Sequence, residues 1–324
     1  MQNNSGGSLV YFYCINSIIE NTKFMDNLGG NQIDIRFYLD NQISVFQNLF
    51  INNCSQNNHP DVFSATPIFI FGDEFTSNHK AIFYNTQITE NVDQNIDWPE
   101  SSCGIHLSNN IDVDMINCTV GNNSTTQNGG AFLGGFQGNT LNIYNSIFYG
   151  DFPNEFYIGN LNQSNPLTIN IYNSLVEGGE DNINIIPGED VIINWDETTN
   201  LNENPLWLGA GDFPYYLQIG SPCIDSGTLD LPTGIELPQY DLAGNPRVYG
   251  TTIDIGAYEW QDSVSVIEEP TIHNSSLLTT NLSCYPNPFN PTTRIHFYGM
   301  EKIIQVNKLL QVFIFINLKL ISCY

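Results

Sequence analysis

Asp112 and Asp114, with Val113 between them, are acids whose spacing could do chemistry. An extended chain places residues i and i+2 on one face, roughly 7 Å apart. An inverting glycosidase separates its general acid and base by about that much. The same pair, joined by further oxygen ligands, would hold Ca²⁺. Two solvated acids on an acidic strand face is the plainer reading, and it needs no catalysis. Aromatic residues offer a second chemistry. Tyr84, Tyr144 and Tyr172 take the same outward place in three repeats, where the others carry Glu20, Gln47 and Ile116. Exposed, they would form a stripe on which sugar rings pack; packed only on one another, they would be structural. Two insertions, near residues 55–80 and 92–110, hold His59, Asp61, Asp73, Glu74, His79, Asp97, Glu100 and His106, with Trp98 as a further sugar platform. Sequence brings no two of these together, so no metal site and no cofactor are assigned.

A repeated strand unit must position these side chains. Six segments align on Asn21, Asn48, Asn85, Asn117, Asn145 and Asn173, at spacings of 27, 37, 32, 28 and 28 residues. Two places before the anchor stand Ile19, Phe46, Phe83, Met115, Ile143 and Ile171. Three places after it stand Phe24, Ile51, Ile88, Val120, Phe148 and Val176. Every one is apolar, and the alternation has the period of a strand, not of a helix. No amphipathic helix of useful length precedes residue 300. The alternation puts the anchor Asn on the apolar, inward face, where its amide needs partners. Identical asparagines stacked about 4.8 Å apart in parallel register would supply them.

Composition excludes several classes. Eight Lys and Arg against 34 Asp and Glu give a formal net charge of −26 across 324 residues. Such a chain cannot neutralise a phosphate backbone, which excludes general nucleic-acid binding. With 41% hydrophobic and only 13% charged residues it is too apolar for a disordered acidic tail. Seven cysteines without a C-x-x-C pair support neither zinc nor a thioredoxin-like site. The tail's longest unbroken apolar run is Val312–Ile316, so no membrane span is expected. Residues 1–10 carry no basic-then-apolar leader.

On the anchor asparagines, the 20–30-residue unit and the N-[ST]-x-apolar turn, residues 10–200 resemble the right-handed parallel β-helix of the pectate lyase-like superfamily. The fold expected is therefore all-β: a right-handed parallel β-helix, or β-solenoid, over residues 1–208. Gly220-Ser-Pro-Cys-Ile-Asp-Ser-Gly227, Asp241-Leu-Ala-Gly-Asn-Pro-Arg247 and Asp254-Ile-Gly-Ala-Tyr-Glu259 are similar to the closing segment of many secreted bacterial β-helix proteins. They imply a C-terminal cap over 209–260, with Asp225, Asp241, Asp254 and Glu259 in turns and not on a cation. A polar linker follows at 261–282. Cys284-Tyr-Pro-Asn-Pro-Phe-Asn-Pro-Thr-Thr-Arg-Ile-His-Phe297 resembles the opening of the type IX secretion sorting domain, a small β-sandwich. That resemblance implies a partial sorting segment at 283–300, an aberrant tail at 301–324, and a fragment of a longer precursor handled by the type IX secretion machinery.

Lyases of the superfamily need an Arg or Lys base; here the repeat region holds only Lys23, Arg36 and Lys80, in no matching constellation. The hydrolase signatures, an Asp-Asp pair and Gly-His-Gly, are absent. The leading expectation is a secreted or cell-surface protein with a non-catalytic binding, adhesion or structural role toward polysaccharide. The alternatives are a lyase or glycoside hydrolase with an unrecognised site, and a truncated product without independent function.

Overall fold

The computed structural model describes residues 10–13, 16–27, 31–56, 66–73, 75, 77–93, 102–109, 111–126, 129–136, 140–160, 167–188, 190–261, 284–285 and 294–295. The chain divides into two units, Asn3–Ser265 and Val266–Tyr324 with the first two residues. In the second, Cys284–Tyr285 pairs antiparallel with Arg294–Ile295. The other residues of 262–324, which include most of the segment expected to resemble a sorting domain and the tail, lie outside the described residues.

The first unit is all-β, and every strand pairing in its sheets is parallel. Each repeat supplies one strand to each of several sheets. The first sheet runs Val10–Tyr13, Ile33–Phe37, Ile68–Gly72, Ile105–Asn109, Phe132–Phe136, Phe156–Asn160, Ile183–Ile185. A second runs Ser17–Glu20, Ile43–Gln47, His79–Tyr84, Ile111–Ile116, Thr140–Tyr144, Leu167–Tyr172, Val191–Trp195. A third holds six short strands, from Lys23–Met25 to Leu175–Val176, and a fourth only three. Among the described residues the one helix is the 3-10 turn Glu180–Asn182. This stacking of parallel sheets is compatible with a β-solenoid. No helix among the described residues is long and apolar enough to cross a membrane.

Alternation within the strands explains the stack. Strand His79–Tyr84 alternates strictly between buried and half-buried residues, and Leu167–Tyr172 does the same. The inward set (Ile35, Phe46, Ile70, Phe83, Leu107, Val113, Ile143 and Ile171 among them) forms one continuous core. Equivalent residues sit over each other: the rings of Phe46 and Phe83 stack 4.4 Å apart at 8°. Burying each such side chain is worth about 1.5–3 kcal/mol.

The anchor asparagines do not point inward as the alternation suggests. All six take positive φ, from 45° at Asn85 to 52° at Asn48. A single left-handed residue ends the strand and turns the chain, and Asn tolerates this conformation better than most residues. The turn swings its side chain to the outer corner. Asn48 Nδ2 donates to Asn21 Oδ1 (2.9 Å) and Asn85 Nδ2 to Asn48 Oδ1 (3.1 Å). Beyond Asn85 the stack stops: Asn117, Asn145 and Asn173 donate instead to backbone carbonyls of Asp254, Thr228 and Ser226. The inward polar place belongs to the next residue. Ser146 and Ser174 are fully buried, and each Oγ donates to the carbonyl two residues back while accepting an N–H from the preceding repeat.

Residues 201–260 carry almost no ladder and are held by side chains. Asp241 Oδ1 accepts from the N–H groups of Ala243 and Asn245, and Oδ2 from that of Glu259. Asp254 accepts from Asp225 and Trp260 N–H groups, and Glu259 from Tyr249 and Asp254. Arg247 is 1% exposed. Its guanidinium donates to Asn85 Oδ1 and to the carbonyls of Gly256 and Ala257, 3.8 Å from the Glu259 carboxylate. Burial pushes Asp254 up to about 6 and Glu259 up to about 8.

Candidate functional site

Two outward faces carry aromatic residues. On the second sheet, Asp112 and Asp114 leave the same side of strand Ile111–Ile116, but they do not face solvent together. Asp114 is 1% exposed. Its Oδ1 accepts from Asn142 Nδ2 (2.8 Å), and Lys80 Nζ lies 2.6 Å from Oδ2. The stack continues with Asn170 donating to Asn142 and Asn194 to Asn170, both at 2.7 Å. Asp112 Oδ1 accepts the Thr140 N–H at 2.9 Å. A buried carboxylate held between Lys80 of the preceding repeat and Asn142 of the next is not placed to exchange protons with a substrate.

The tyrosine column is likewise covered. Tyr144 and Tyr172 stack, with centroids 5.7 Å apart and planes at 19°. Tyr144 is only 8% exposed, however, and Ile116 beside it is fully buried. The covering chain is the C-terminal segment. Thr228 exchanges two hydrogen bonds with Asn145, the Tyr240 carbonyl accepts from Asn85, and the Tyr84 phenol meets the backbone of Glu236. Burial raises the Tyr84 and Tyr144 phenols above their ordinary range. Tyr84 and Tyr172 keep partial exposure at the rim.

The open aromatic face lies on the first sheet, on residues that the repeat alignment does not single out. Register places Tyr13, Arg36 and Phe71 in one row across three strands, and Tyr11, Asp34, Phe69 and His106 in the row beside it. The result is an array with an ion pair at its centre and an aromatic ring at each corner. Arg36 meets Asp34 bidentately, Nε to Oδ1 at 3.0 Å and Nη2 to Oδ2 at 3.3 Å. Its guanidinium carbon lies 5.7 Å from the Tyr11 ring and 5.5 Å from that of Phe69, a cation–π distance. The Asp34 hydrogen bond holds the Arg36 pKa above its ordinary value. Tyr38 extends the array, stacked on Tyr13 at 4.6 Å and tilted against Phe71 at 5.9 Å. Tyr11 and Tyr13 are 47% and 55% exposed. Next to them His106 sets its ring edge-on to Phe69, and burial pushes it down to about 4, which keeps it neutral.

Of the insertion residues, Asp73, His79 and His106 are described. His79 is buried and stacked on Phe37 at 5.1 Å, which makes it a core residue. Asp73 Oδ1 accepts the Phe75 N–H in a turn. His59, Asp61, Glu74, Asp97, Trp98 and Glu100 lie outside the described residues. Among the described residues no three His, Cys, Asp or Glu side chains are grouped to hold a metal ion. One buried acid pair stands apart. Asp151 Oδ1 accepts from the N–H and Nδ2 of Asn123, and Asp151 N–H donates to Glu155 Oε1 (3.1 Å). Both carboxyls are raised by burial, Glu155 further by Asp151, so the pair holds a proton. It closes an internal amide stack that begins at Asn91 and is too buried to meet a substrate.

Compared with protein-family models, curated proteins and solved structures, the chain matches none.

Proposed function

We propose that residues 1–208 form a right-handed parallel β-helix that binds polysaccharide, without catalysis, on the outer face of its first sheet, and that residues 209–260 cap it. The observation that carries the reading is the array Tyr11, Tyr13, Tyr38, Phe69 and Phe71 around one ion pair. Sugar rings present C–H faces that pack on aromatic rings, and exposed apolar patches of this kind mark interaction sites. The sorting motif at 284–297 supports an exported, cell-surface setting, with the type IX machinery as the precursor's partner. The commitment of Asp114 to Lys80 and Asn142 speaks against the acid pair as a hydrolase centre. Affinity electrophoresis of the full chain in gels cast with soluble polysaccharides tests the reading. Retardation in at least one gel, weakened by Tyr13→Ala with Phe71→Ala and not by Tyr172→Ala, is expected. Release of reducing ends from the same polysaccharides would replace binding by hydrolysis or lysis.

A further inference from the structure

We infer that the first-sheet array takes an uncharged polysaccharide, laid along the stacking axis of the repeats, and rejects uronates and sulfated chains. The inference rests on the binding reading above and adds the class and direction of the ligand.

Charge argues for the class. Arg36 is the array's cation, and both arms of its contact with Asp34 are made: Nε–Oδ1 at 3.0 Å and Nη2–Oδ2 at 3.3 Å. Asp34 is 3% exposed. A ligand carboxylate or sulfate that drew Arg36 away would leave a buried carboxylate without its counter-charge, which is strongly unfavourable. One that left the pair intact would meet a neutral array on a chain of net charge −26. Hydroxyl groups face neither cost, because they carry no charge to compete for Arg36 or to be repelled by the chain.

Register argues for the direction. Tyr13, Arg36 and Phe71 are aligned partners on three consecutive strands, as are Tyr11, Asp34 and Phe69. Two strand spacings separate the corner rings by about 9.6 Å along the axis, room for two linked pyranose rings. A chain lying along the strands would meet the rings of one strand alone, Tyr11 with Tyr13 or Phe69 with Phe71, and would not cross the register rows.

Gel retardation at low and high salt decides, with soluble mixed-linkage β-glucan and arabinoxylan as neutral probes and polygalacturonate and alginate as acidic ones. The expected result is retardation by a neutral probe, unchanged by salt, and none by the acidic ones. Tyr13→Ala and Phe71→Ala should each weaken it about tenfold. Asp34→Asn, which frees the Arg36 charge, should gain a salt-sensitive affinity for polygalacturonate. Wild-type affinity for an acidic probe above that for the neutral ones would overturn the inference while leaving the binding reading intact. No retardation by any of the probes, at either salt, would overturn the two together.

Discussion

The outer faces of the first and second sheets are built alike and end differently. Both present aromatic residues outward, and both carry a charged pair, Arg36–Asp34 on one and Lys80–Asp114 on the other. On the first sheet Tyr13 keeps 55% of its surface; on the second Tyr144 keeps 8%. Tyr13 lies on the edge strand of its sheet and Tyr144 on an inner strand, and a second segment adds to that difference. Residues 226–256 fold back over the second-sheet corner and take the hydrogen-bonding groups that the asparagine turns present there. Outward direction is thus a property of the strand, whereas exposure depends on the strand's place in its sheet and on a segment more than a hundred residues downstream of the array.

The strongest way to break this contrast is to remove what covers the second face. Arg247→Ala deletes a buried cation that links Asn85, Gly256, Ala257 and Glu259. Taking one partner from a buried pair costs about 3–5 kcal/mol. A large drop in the denaturation midpoint is expected, with faster chemical iodination of Tyr84 and Tyr144. An unchanged midpoint would mean that the guanidinium does not hold the segment down.

Next in size is a pH effect, centred on the Asp151–Glu155 pair at the entry to a first-sheet strand. Carboxyls whose folded pKa is raised contribute stability that is fully present below the ordinary carboxylate range, about pH 4, and that is lost as pH rises. Asp254 and Glu259, raised to about 6 and about 8, act in the same direction under the second face. Urea midpoints should therefore fall from mildly acid to mildly alkaline pH. Glu155→Gln, which mimics the protonated partner, should flatten that fall. Parallel pH profiles for the two proteins would remove the pair from the account.

Smaller is the loss expected on the proposed binding face. Tyr38→Ala removes a ring stacked on Tyr13 and should cost about 1 kcal/mol of glycan affinity with little change in stability. The matched change on the covered face, Tyr172→Ala, should do the reverse, and equal effects on affinity would erase the distinction between the faces. The smallest effect is expected from Asn170→Ala, which interrupts the stack running from Asp114 to Asn194. A partly exposed amide bond of this kind is worth about 1 kcal/mol. Thermal melting would register it as a shift of a few degrees with binding unchanged.

Much of the architecture was legible because it is written locally. The apolar pairs around each anchor, such as Phe46 and Ile51 or Ile143 and Phe148, carry the period of a strand, and their recurrence specifies parallel stacking. Asparagine recurrence also marked the turns, although the left-handed backbone sends those amides to the outer corner; no alternation rule foresees that. The candidate site was less legible. Tyr11, Tyr13, Tyr38, Phe69 and Phe71 precede or follow variable-length connections, so counting from the anchor does not align them, and only register across three strands brings them around Arg36. Tyr84, Tyr144 and Tyr172 were easy to find for the opposite reason, since each sits one place before its anchor.

By itself, then, the sequence determined which residues alternate, where the chain turns and how successive repeats pair, because these follow from side-chain period and the backbone preferences of single residues. Tertiary structure alone decided which outward face stays open, which acids are spent on neighbours and where a lone cation is neutralised. Those outcomes depend on contacts such as Arg247 with Asn85, between residues 162 positions apart, and no local pattern encodes a contact at that separation.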